Sequence, residues 1–441
     1  MARSRRRKLP SEPVQTRIDS LSHDGRGVAH IGGKAVFIHG ALAGEEVTFR
    51  YTRKRRSFDE GRVEQVLSPS PERVMPLCSR FEICGGCALQ HQAPEAQIRG
   101  KQQVLLDAFE RIGQVSPAQI LPPLTADSPW GYRRKARLGV KYVPRKGKVL
   151  VGFREKGSSF LADIDRCPVL DPRVGDLLTP LSELIAGLSV RDRVPQIEVA
   201  AGDAACVLIF RLLDPPSDDD RARLLQFGER HRVSVYLQEG GPESVAPLSA
   251  PTGLSYALPE QGVRIGFLPT DFTQVNSGLN RAMVSQALRL LEPADGERLL
   301  DLFCGLGNFT LPLARRCASV VGVEGDAGLV ERARRNARDN HIGNVRYYSA
   351  DLYAPLAGEP WLEERFDKAL LDPPRTGAAE VLGVLPELGV ERLLYVSCYP
   401  ATLARDAGEL VHRHGYRLAA AGVMDMFPHT AHVESMALFE R

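Results

Sequence analysis

Residues 299–314, LLDLFCGLGNFTLPLA, join an apolar strand, a glycine-containing loop and the start of a helix, and no other segment constrains the fold as strongly. The loop contains Gly305 and Gly307, and a helix is predicted to begin near Phe309. Glycines at the carboxyl end of a buried strand let a ligand approach the backbone closely. Strand-like and helix-like runs keep alternating beyond this segment, which predicts a doubly wound α/β domain over residues 271–441.

A carboxylate follows this loop at the spacing of a nucleotide-type site. The next predicted strand, SVVGVE, ends in Glu324, 19 residues after Gly305, where a carboxylate can bind ribose hydroxyls. The loop lacks the third glycine of G-x-G-x-x-G, and Asp301 precedes it where it would repel a pyrophosphate, which disfavours NAD. S-adenosylmethionine carries an amine and no phosphate, and D-x-F-x-G-x-G resembles the first motif of class I methyltransferases. Asp351, after the following strand, would reach the adenine or would cap a helix.

Two further strands end in motifs with reactive side chains. KALL runs into D-P-P-R, beginning at Asp372, and RLLYV runs into S-C-Y-P, which contains Cys398. Both turns fall at the ligand-binding edge of an open α/β sheet, so Cys398 is a candidate nucleophile or a small residue that fills the strand end. DMFPHTAHVES supplies Glu434 as the best-placed general base. His429 and His432 are expected to pack or hydrogen-bond, because their spacing is poor for a metal site.

Cysteine usage indicates a metal centre. Three of the eight cysteines form C-x5-C-x2-C, and without a secretory signal this pattern favours metal binding or catalysis over disulfides. A fourth ligand would come from a cysteine before a proline, as is common for the last ligand of ferredoxin-like clusters. The spacing is compatible with zinc and with an iron–sulfur cluster. The predicted ligands are Cys78, Cys84, Cys87 and Cys167, and the cysteines expected to pack are Cys206, Cys304 and Cys317.

The net charge of +3 is unevenly distributed. Residues 1–62 hold 14 Lys/Arg against 7 Asp/Glu, and residues 130–160 hold 10 against one. Two basic segments on an otherwise acidic chain indicate a polyanion such as nucleic acid, the alternative being a solvated tail and a charged loop. In the second segment basic and aromatic residues are interleaved, which suits phosphate contact and base stacking or an exposed strand face. The residues concerned are Tyr132, Arg133, Arg134, Lys135, Lys141 and Tyr142.

Composition divides the chain into four segments. Residues 1–12 are predicted to be a flexible basic arm, and the short alternating runs of residues 13–70 predict a small β-barrel, whose Lys54-Arg55-Arg56 run could face a phosphate backbone. Residues 71–270 predict a mixed α+β domain, whose helix over 93–113 could pack on the catalytic domain at 271–441. No apolar run has the length of a membrane span and no secretory signal is present. We therefore expect a cytoplasmic protein without a membrane partner.

Six segments together resemble the bacterial RNA uracil-C5 methyltransferases over roughly residues 268–441. They read GLNRAMV, DLFCGLGNFTLPLA, VVGVEG, LLDPPRTGA, YVSCYPATLARD and DMFPHTAHVESMALF. The cysteines and the N-terminal barrel extend the resemblance over nearly the whole chain, to the iron–sulfur branch that acts on 23S ribosomal RNA. The resemblance implies a class I (Rossmann-like) methyltransferase domain, a TRAM/OB-like barrel, and a central α+β domain with a [4Fe–4S] cluster.

The resemblance also implies roles for single residues. A Cys398 thiolate would add to C6 of a flipped uracil, C5 would take the methyl group, and Glu434 would remove the C5 proton. Gln274 and Asp372 have the alternative of hydrogen-bonding the uracil edge. Tyr399 stands where the family usually has Asn. The residues implied to line the cofactor and base pocket are Gln274, Phe303, Asn308, Glu324, Asp351 and Asp372.

Other functions stay open from sequence alone. An amino-methyltransferase is disfavoured because Arg375 follows D-P-P where an aromatic residue is usual, and a cytosine-C5 enzyme because the preceding motif has no Pro-Cys. A related enzyme acting on another 23S rRNA uridine or on tRNA would carry similar motifs. A non-catalytic iron–sulfur RNA-binding protein would need neither Cys398 nor the cofactor pocket. We expect a monomer with no protein partner beyond the RNA substrate.

Overall fold

Three large β-sheets organise the computed structural model, which describes residues 9–356 and 358–441. Residues 1–8, most of the predicted basic arm, lie outside the described residues. Within the part of the chain that is described, no helix is long and apolar enough to cross a membrane.

Six short strands form the N-terminal sheet, as predicted. They are β1 Val14–Arg17, β2 Ser20–Leu21, β3 Gly27–Ile31, β4 Lys34–His39, β5 Glu46–Lys54 and β6 Phe58–Ser68. Their order is β1-β5-β6-β4-β3-β2, and alternating side chains build a small core around Val36 and Phe49. A Cβ atom at Gly61 would lie 2.4 Å from the Phe49 ring, so only glycine lets β6 cover that ring.

The next segment reaches across to the C-terminal domain before the central sheet begins. It contains helix α1, Pro94–Ala108, and the two-residue strand β7, Gln119–Ile120. Strand β7 pairs in parallel with Ala420 and Ala421, so it joins the C-terminal sheet. Neither the sequence periodicity nor the composition predicts this strand.

The central sheet is mixed, as the α+β prediction requires. Its elements are β8 Lys135–Val143, β9 Lys148–Gly152, α2 Pro172–Gly175, α3 Leu178–Ala186, β10 Gln196–Ala201, β11 Cys206–Arg211, α4 Asp218–His231, β12 Ser234–Gln238 and β13 Ala246–Pro247. The order is β13-β12-β11-β10-β8-β9. Only β11 and β12 are parallel, and α4 makes the crossover between them.

A hairpin, β14 Leu254–Leu258 and β15 Val263–Phe267, leads into the C-terminal sheet and shares its core. The elements that follow are α5 Ser277–Leu291, β16 Arg298–Leu302, α6 Thr310–Ala314, β17 Ser319–Glu324, α7 Ala327–Asp339, β18 Val345–Ser349, β19 Lys368–Leu371, α8 Ala379–Leu382, β20 Arg392–Ser397, α9 Pro400–His414, β21 Arg417–Met424 and β22 Glu434–Glu440.

The C-terminal sheet is doubly wound, which confirms the α/β prediction. Its order is β18-β17-β16-β19-β20-β22-β21-β7. Strands β16 to β20 are parallel, and β22 is antiparallel to both of its neighbours. The strand order reverses between β16 and β19, and ligands bind at the carboxyl edge of such a switch point.

Helix α1 packs on α9 through an unusually close approach of backbones. After α1 the chain makes a π-helical turn, Phe109–Gly113. A Cβ atom at Gly113 would lie 2.4 Å from the Ala404 carbonyl oxygen, and one at Gly408 would lie 2.8 Å from the Gly113 carbonyl oxygen. Small residues on both sides therefore fix where α1 lies against the C-terminal domain.

We expect Gly113→Ala to lower the free energy of unfolding by about 1–3 kcal/mol, because the new methyl group overlaps a backbone oxygen. Gly100→Ala is the matched control. It lies within α1, and a Cβ atom there would meet nothing within 4 Å, so alanine should stabilise the helix by about 0.5–1 kcal/mol. Urea-induced unfolding of both variants measures the difference. Equal effects would contradict close backbone packing at Gly113.

Candidate active site

A cavity of about 550 Å³ opens at the carboxyl edge of the C-terminal sheet, where the strand order reverses. We call it the inner cavity. Five of the six residues expected to bind the cofactor or base line it, together with the candidate nucleophile and base. These residues are Gln274, Phe303, Asn308, Glu324, Asp372, Cys398 and Glu434.

The backbone of the glycine loop fixes the position of the Glu324 carboxylate, which faces the loop. Phe303 and Gly307 have positive φ angles of 64° and 92°, so the chain turns sharply after β16. The turn aims the Gly305 N–H at Glu324 Oε2, 3.1 Å away, while Glu324 Oε1 accepts from the Asp326 N–H at 3.1 Å. Two backbone donors therefore hold the Glu324 carboxylate beside the loop.

Asn308 is held by two side chains, that of Tyr256, which no sequence motif identifies, and that of Asn280, which lies in the GLNRAMV segment. Its Oδ1 accepts from the Tyr256 hydroxyl and from Asn280 Nδ2, each at 2.9 Å. Its Nδ2 donates to Asn280 Oδ1 at 3.0 Å. Because Asn280 is a buried amide on the core-facing side of α5, it pairs with another polar group rather than with water.

Two half-buried carboxyl groups on the wall of the inner cavity, Asp372 and Glu434, and the buried Asp301 outside its lining make the cavity suited to a cation. Burial raises the pKa of Asp301 to about 8 and that of Asp372 to about 7. Burial also raises the pKa of Glu434 to about 8, and the Asp372 carboxyl adds to this shift while Arg375 and Lys101 oppose it. A positive charge placed among these groups would relieve their mutual repulsion.

Cys398 lies where the inner cavity meets a second, larger one. The second cavity, about 760 Å³, is called the outer groove here, and it shares Cys398, Arg375, Phe427 and His432 with the inner cavity. Burial raises the pKa of the Cys398 thiol to about 11, and the carboxyl groups of Glu434 and Asp372 raise it further while Arg375 lowers it. The thiol is therefore protonated at rest, and it needs a local proton acceptor to become a nucleophile.

Side chains of α1 hold the 425–434 loop, which leads to the candidate base, by hydrogen bonds and an ion pair. Lys101 Nζ is buried and lies 2.6 Å from Asp425 Oδ1, and it donates to the Phe427 carbonyl at 3.0 Å. Gln97 Oε1, one helical turn earlier, accepts from the His429 N–H at 2.9 Å. These contacts set the path of the chain into β22, at whose first residue the candidate base stands.

The cysteine segment, residues 78–92, holds the same loop from the other side. The N–H groups of Ala88 and Leu89 both donate to the His429 carbonyl, at 2.8 and 2.9 Å. His429 has a positive φ of 66°, and its ring stacks on Trp130 at 3.9 Å between centroids. His429 is thus a packing and hydrogen-bonding residue, as expected from its sequence context.

Comparisons with known proteins agree with this geometry. Residues 260–441 match the tRNA (Uracil-5-)-methyltransferase family model, and residues 14–63 match the TRAM domain model. The chain is 61% identical over 439 residues to a 23S rRNA (uracil(1939)-C(5))-methyltransferase RlmD of Alkalilimnicola ehrlichii, covering 99% of this chain and 98% of that protein. It is 53% identical to the protein of the same name from Methylococcus capsulatus, covering 100% and 99%.

This chain belongs to the 23S rRNA (uracil-C5)-methyltransferase family. The family predicted from the sequence motifs is therefore confirmed. Its fold is that of a solved tRNA (uracil-54, C5)-methyltransferase from Pyrococcus abyssi, described in complex with S-adenosyl-L-homocysteine. The TM-score is 0.75 at 24% identity, with 96% of this chain and 99% of that chain covered.

One residue that the family resemblance assigns to the pocket lies elsewhere. Asp351 is exposed, is not among the residues lining the inner cavity, and accepts a hydrogen bond from the Tyr353 N–H at 2.9 Å. This local turn resembles the capping alternative that the sequence left open for Asp351. Tyr353, two residues later, lines the cavity in its place.

Three residues of the basic and aromatic stretch make contacts within the protein: Tyr132 is buried, so its expected base stacking is wrong, and Arg134 and Lys135 are half-buried. Tyr132 is 6% exposed and donates to the Pro428 carbonyl at 3.0 Å. Arg134 lies 2.5 Å from Asp203, and Lys135 donates to the carbonyl of Pro269 at 2.9 Å. The reason is that neighbouring loops supply acceptors for this strand's charges. Arg133, by contrast, lines the outer groove.

The four predicted ligand cysteines converge on one small cavity. Cys78, Cys84, Cys87 and Cys167 all line it, and the rings of Phe81 and Phe153 close its walls. Among the described residues no group of three or more His, Cys, Asp or Glu side chains is arranged to hold a metal ion. The expected packing cysteines, Cys206, Cys304 and Cys317, are buried, as predicted.

Proposed function

We propose that this chain transfers a methyl group to C5 of a uridine in 23S ribosomal RNA, with S-adenosylmethionine as the methyl donor and uridine 1939 as the target. The observation that carries the proposal is that a cysteine and a buried carboxyl group face one cavity at the switch point of a doubly wound sheet. The relatives that cover the whole chain carry the name of that activity, including the uridine number.

The inner cavity fits the proposed methyl donor. Glu324, fixed by the Gly305 N–H, is suited to the ribose hydroxyls, and Phe303 offers an apolar face to the adenosine. The buried carboxyl groups nearby favour a ligand with a positive charge and no phosphate. S-adenosylmethionine supplies a methyl group activated by its sulfonium charge.

The chain's own groups would carry the covalent chemistry. Cys398 gives its thiol proton to a neighbouring base and forms a bond to C6 of uracil, which breaks the C5–C6 π bond and places negative charge on the enolate formed by C5, C4 and O4. After C5 has gained the methyl group, Glu434 accepts the C5 proton, and the C6–S bond breaks to restore the ring and the thiolate. Gln274 and Asp372, on the same wall, are the groups available to hydrogen-bond the uracil edge.

We infer that RNA enters along the outer groove. Each of the three sheet-containing modules contributes to its walls. Asp24 belongs to the N-terminal module, Arg133 and Phe153 belong to the central module, and Arg375 belongs to the catalytic module. Arginine and aromatic side chains suit phosphate groups and exposed bases. The barrel, central and catalytic domains of a single monomer would then each make part of the contacts with RNA.

We propose that the four converging cysteines hold a [4Fe–4S] cluster. Four cysteine sulfur atoms around one zinc ion, with Zn–S bonds of about 2.3 Å, lie close together. In a [4Fe–4S] cluster each cysteine binds a different iron atom, so the four sulfur atoms of the cysteines lie farther apart. The observation that supports a metal centre here is that all four thiols line one cavity. Its role would be structural, because residues 88 and 89 link this segment to the 425–434 loop.

Anaerobically purified protein is expected to be brown and to contain iron and acid-labile sulfide in equal amounts. Cys84→Ser should lose most of both, because one of four ligands is gone. Cys317→Ala, which removes a buried thiol outside the cluster cavity, should keep both. Metal analysis by mass spectrometry and the visible spectrum measure this. Stoichiometric zinc without sulfide would contradict the cluster.

The function is tested by incubating the full chain with methyl-labelled S-adenosylmethionine and transcribed RNAs. The substrates are a 23S rRNA fragment containing uridine 1939, the same fragment with cytidine at that position, and tRNA. We expect 5-methyluridine in the first RNA alone, mapped by mass spectrometry of nuclease fragments. Label in the cytidine fragment would contradict the site, and label in tRNA alone would contradict the substrate.

A further inference from the structure

Tyr399 directly follows Cys398 and lines the outer groove beside it. Its side chain is 47% exposed, so the ring is not part of the core. The family usually has asparagine here, and the methylation chemistry described above gives Tyr399 no task. Isolated exposed aromatic residues are common on protein surfaces, so the case for a function depends on where this ring stands.

The main chain of Tyr399 is held on both sides. Its N–H donates to Ser397 Oγ at 3.1 Å, and its carbonyl accepts from Thr402 Oγ1 at 3.0 Å. The backbone is extended, with φ −146°, and α9 begins at the next residue, Pro400. The turn that carries the nucleophile thus also fixes the backbone of Tyr399 and the direction of its Cα–Cβ bond, which lowers the entropic cost of using the side chain as a contact.

The surroundings of the ring suit a single strand of RNA. Arg133 and Arg375 line the same groove and can contact phosphates, and Phe153 and Phe427 add apolar faces. The uridine that reaches Cys398 must leave its stack, which uncovers the face of a neighbouring base. A tyrosine ring can cover that face by stacking, whereas an asparagine side chain has no π-surface to offer.

We propose that Tyr399 is a specificity-determining residue whose ring stacks on the RNA base adjacent to the uridine that enters the inner cavity. The proposal rests on the proposed function, since it needs a flipped uridine at Cys398. The ring holds the strand in register as the uridine turns inward. It takes no part in bond making, so it contributes to RNA binding and not to the chemical step.

The test uses the full chain and RNA oligonucleotides spanning uridine 1939, with 2-aminopurine at the 5′ or the 3′ neighbour. Wild-type protein is expected to quench the fluorescence of one of these probes. Tyr399→Ala and Tyr399→Asn should lose the quenching and raise KM for RNA about 5- to 150-fold, the range for stacking on one base. Their kcat at saturating RNA and their KM for S-adenosylmethionine should stay unchanged. Tyr399→Phe keeps the ring and should behave as the wild type does.

The matched control is Tyr348→Ala, on edge strand β18, four strands and about 19 Å away from β20. It should leave quenching and KM for RNA unchanged. Wild-type KM in Tyr399→Asn, or a loss in Tyr399→Phe as large as in Tyr399→Ala, would overturn the stacking proposal. A wild-type protein that quenches a probe but forms no 5-methyluridine would instead refute the proposed function, so the two failures are distinguishable.

Discussion

Replacing Cys398 with alanine is expected to abolish methyl transfer, with a fall in kcat of about 10⁴-fold or more, because no other group can activate C5. The expectation comes from the place of the thiol at the junction of the inner cavity and the outer groove. RNA and S-adenosylmethionine should still bind, since their proposed contacts lie elsewhere. The measurement is single-turnover formation of 5-methyluridine with excess enzyme.

A covalent trap separates the nucleophile from a merely structural cysteine. RNA with 5-fluorouridine at the target position has no C5 proton to lose, so methylation should stop at a protein–RNA adduct that survives denaturing electrophoresis. Wild-type protein should form the adduct only with S-adenosylmethionine present, and Cys398→Ala should form none. Cys317→Ala, which removes a buried thiol that lines neither the inner cavity nor the outer groove, is the control and should still form it. An adduct with Cys398→Ala would contradict the assignment.

The catalytic edge of the fold was predictable because its motifs are local in sequence. Each of Glu324, Asp372 and Cys398 stands at or just after the end of its own apolar strand, and parallel strands bring such ends together at one edge. Asp351 follows a strand in the same way but turns outward to its own backbone. The ends of the strands therefore predict at which edge of the sheet the site lies, but they do not predict the direction of each side chain.

The sequence allowed the helix over 93–113 to pack on the catalytic domain, but its contacts with the 425–434 loop could not be predicted, because they join residues far apart in the chain. Lys101 and Asp425 are 324 residues apart, and Gln97 and His429 are 332 apart. The only local signal is that Gln97 and Lys101 are polar residues four positions apart on the buried face of α1. Similarly, the loops that pack beside a basic strand decide whether its side chains face RNA or the protein itself. Arg134, for example, pairs with Asp203.

Glu434→Gln is expected to lower kcat by about 10²- to 10⁴-fold, the usual contribution of a positioned general base. The step that is slowed should be the one that follows methyl transfer, since a glutamine amide cannot accept the C5 proton. A methylated RNA bound through Cys398 should therefore accumulate with ordinary uridine RNA, whereas Cys398→Ala forms no such species. Release of tritium from RNA labelled at C5 of the target should fall in parallel with kcat. The control is Glu380→Gln, an exposed acid on α8, which should keep wild-type activity.

The pH dependence gives a second measurement of the same group. Burial and the Asp372 carboxyl raise the pKa of Glu434 to about 8, so the carboxyl is mostly protonated at pH 7. Only the deprotonated form can accept the C5 proton, so the rate of tritium release should increase with pH, with its midpoint near pH 8. Below that, it should fall about tenfold for each pH unit.

Asp372 raises the pKa of both Glu434 and the Cys398 thiol through its carboxyl group, so the pH range of the titration separates the two groups. Because its carboxyl raises the pKa of Glu434, Asp372→Asn should move the midpoint of tritium release to lower pH. Burial holds the pKa of Cys398 near 11, so a thiol-limited rate would instead keep rising above pH 9. Glu434→Gln should show no midpoint near pH 8 in the proton-loss step. A profile with the wild-type midpoint in Glu434→Gln would assign the proton to another base.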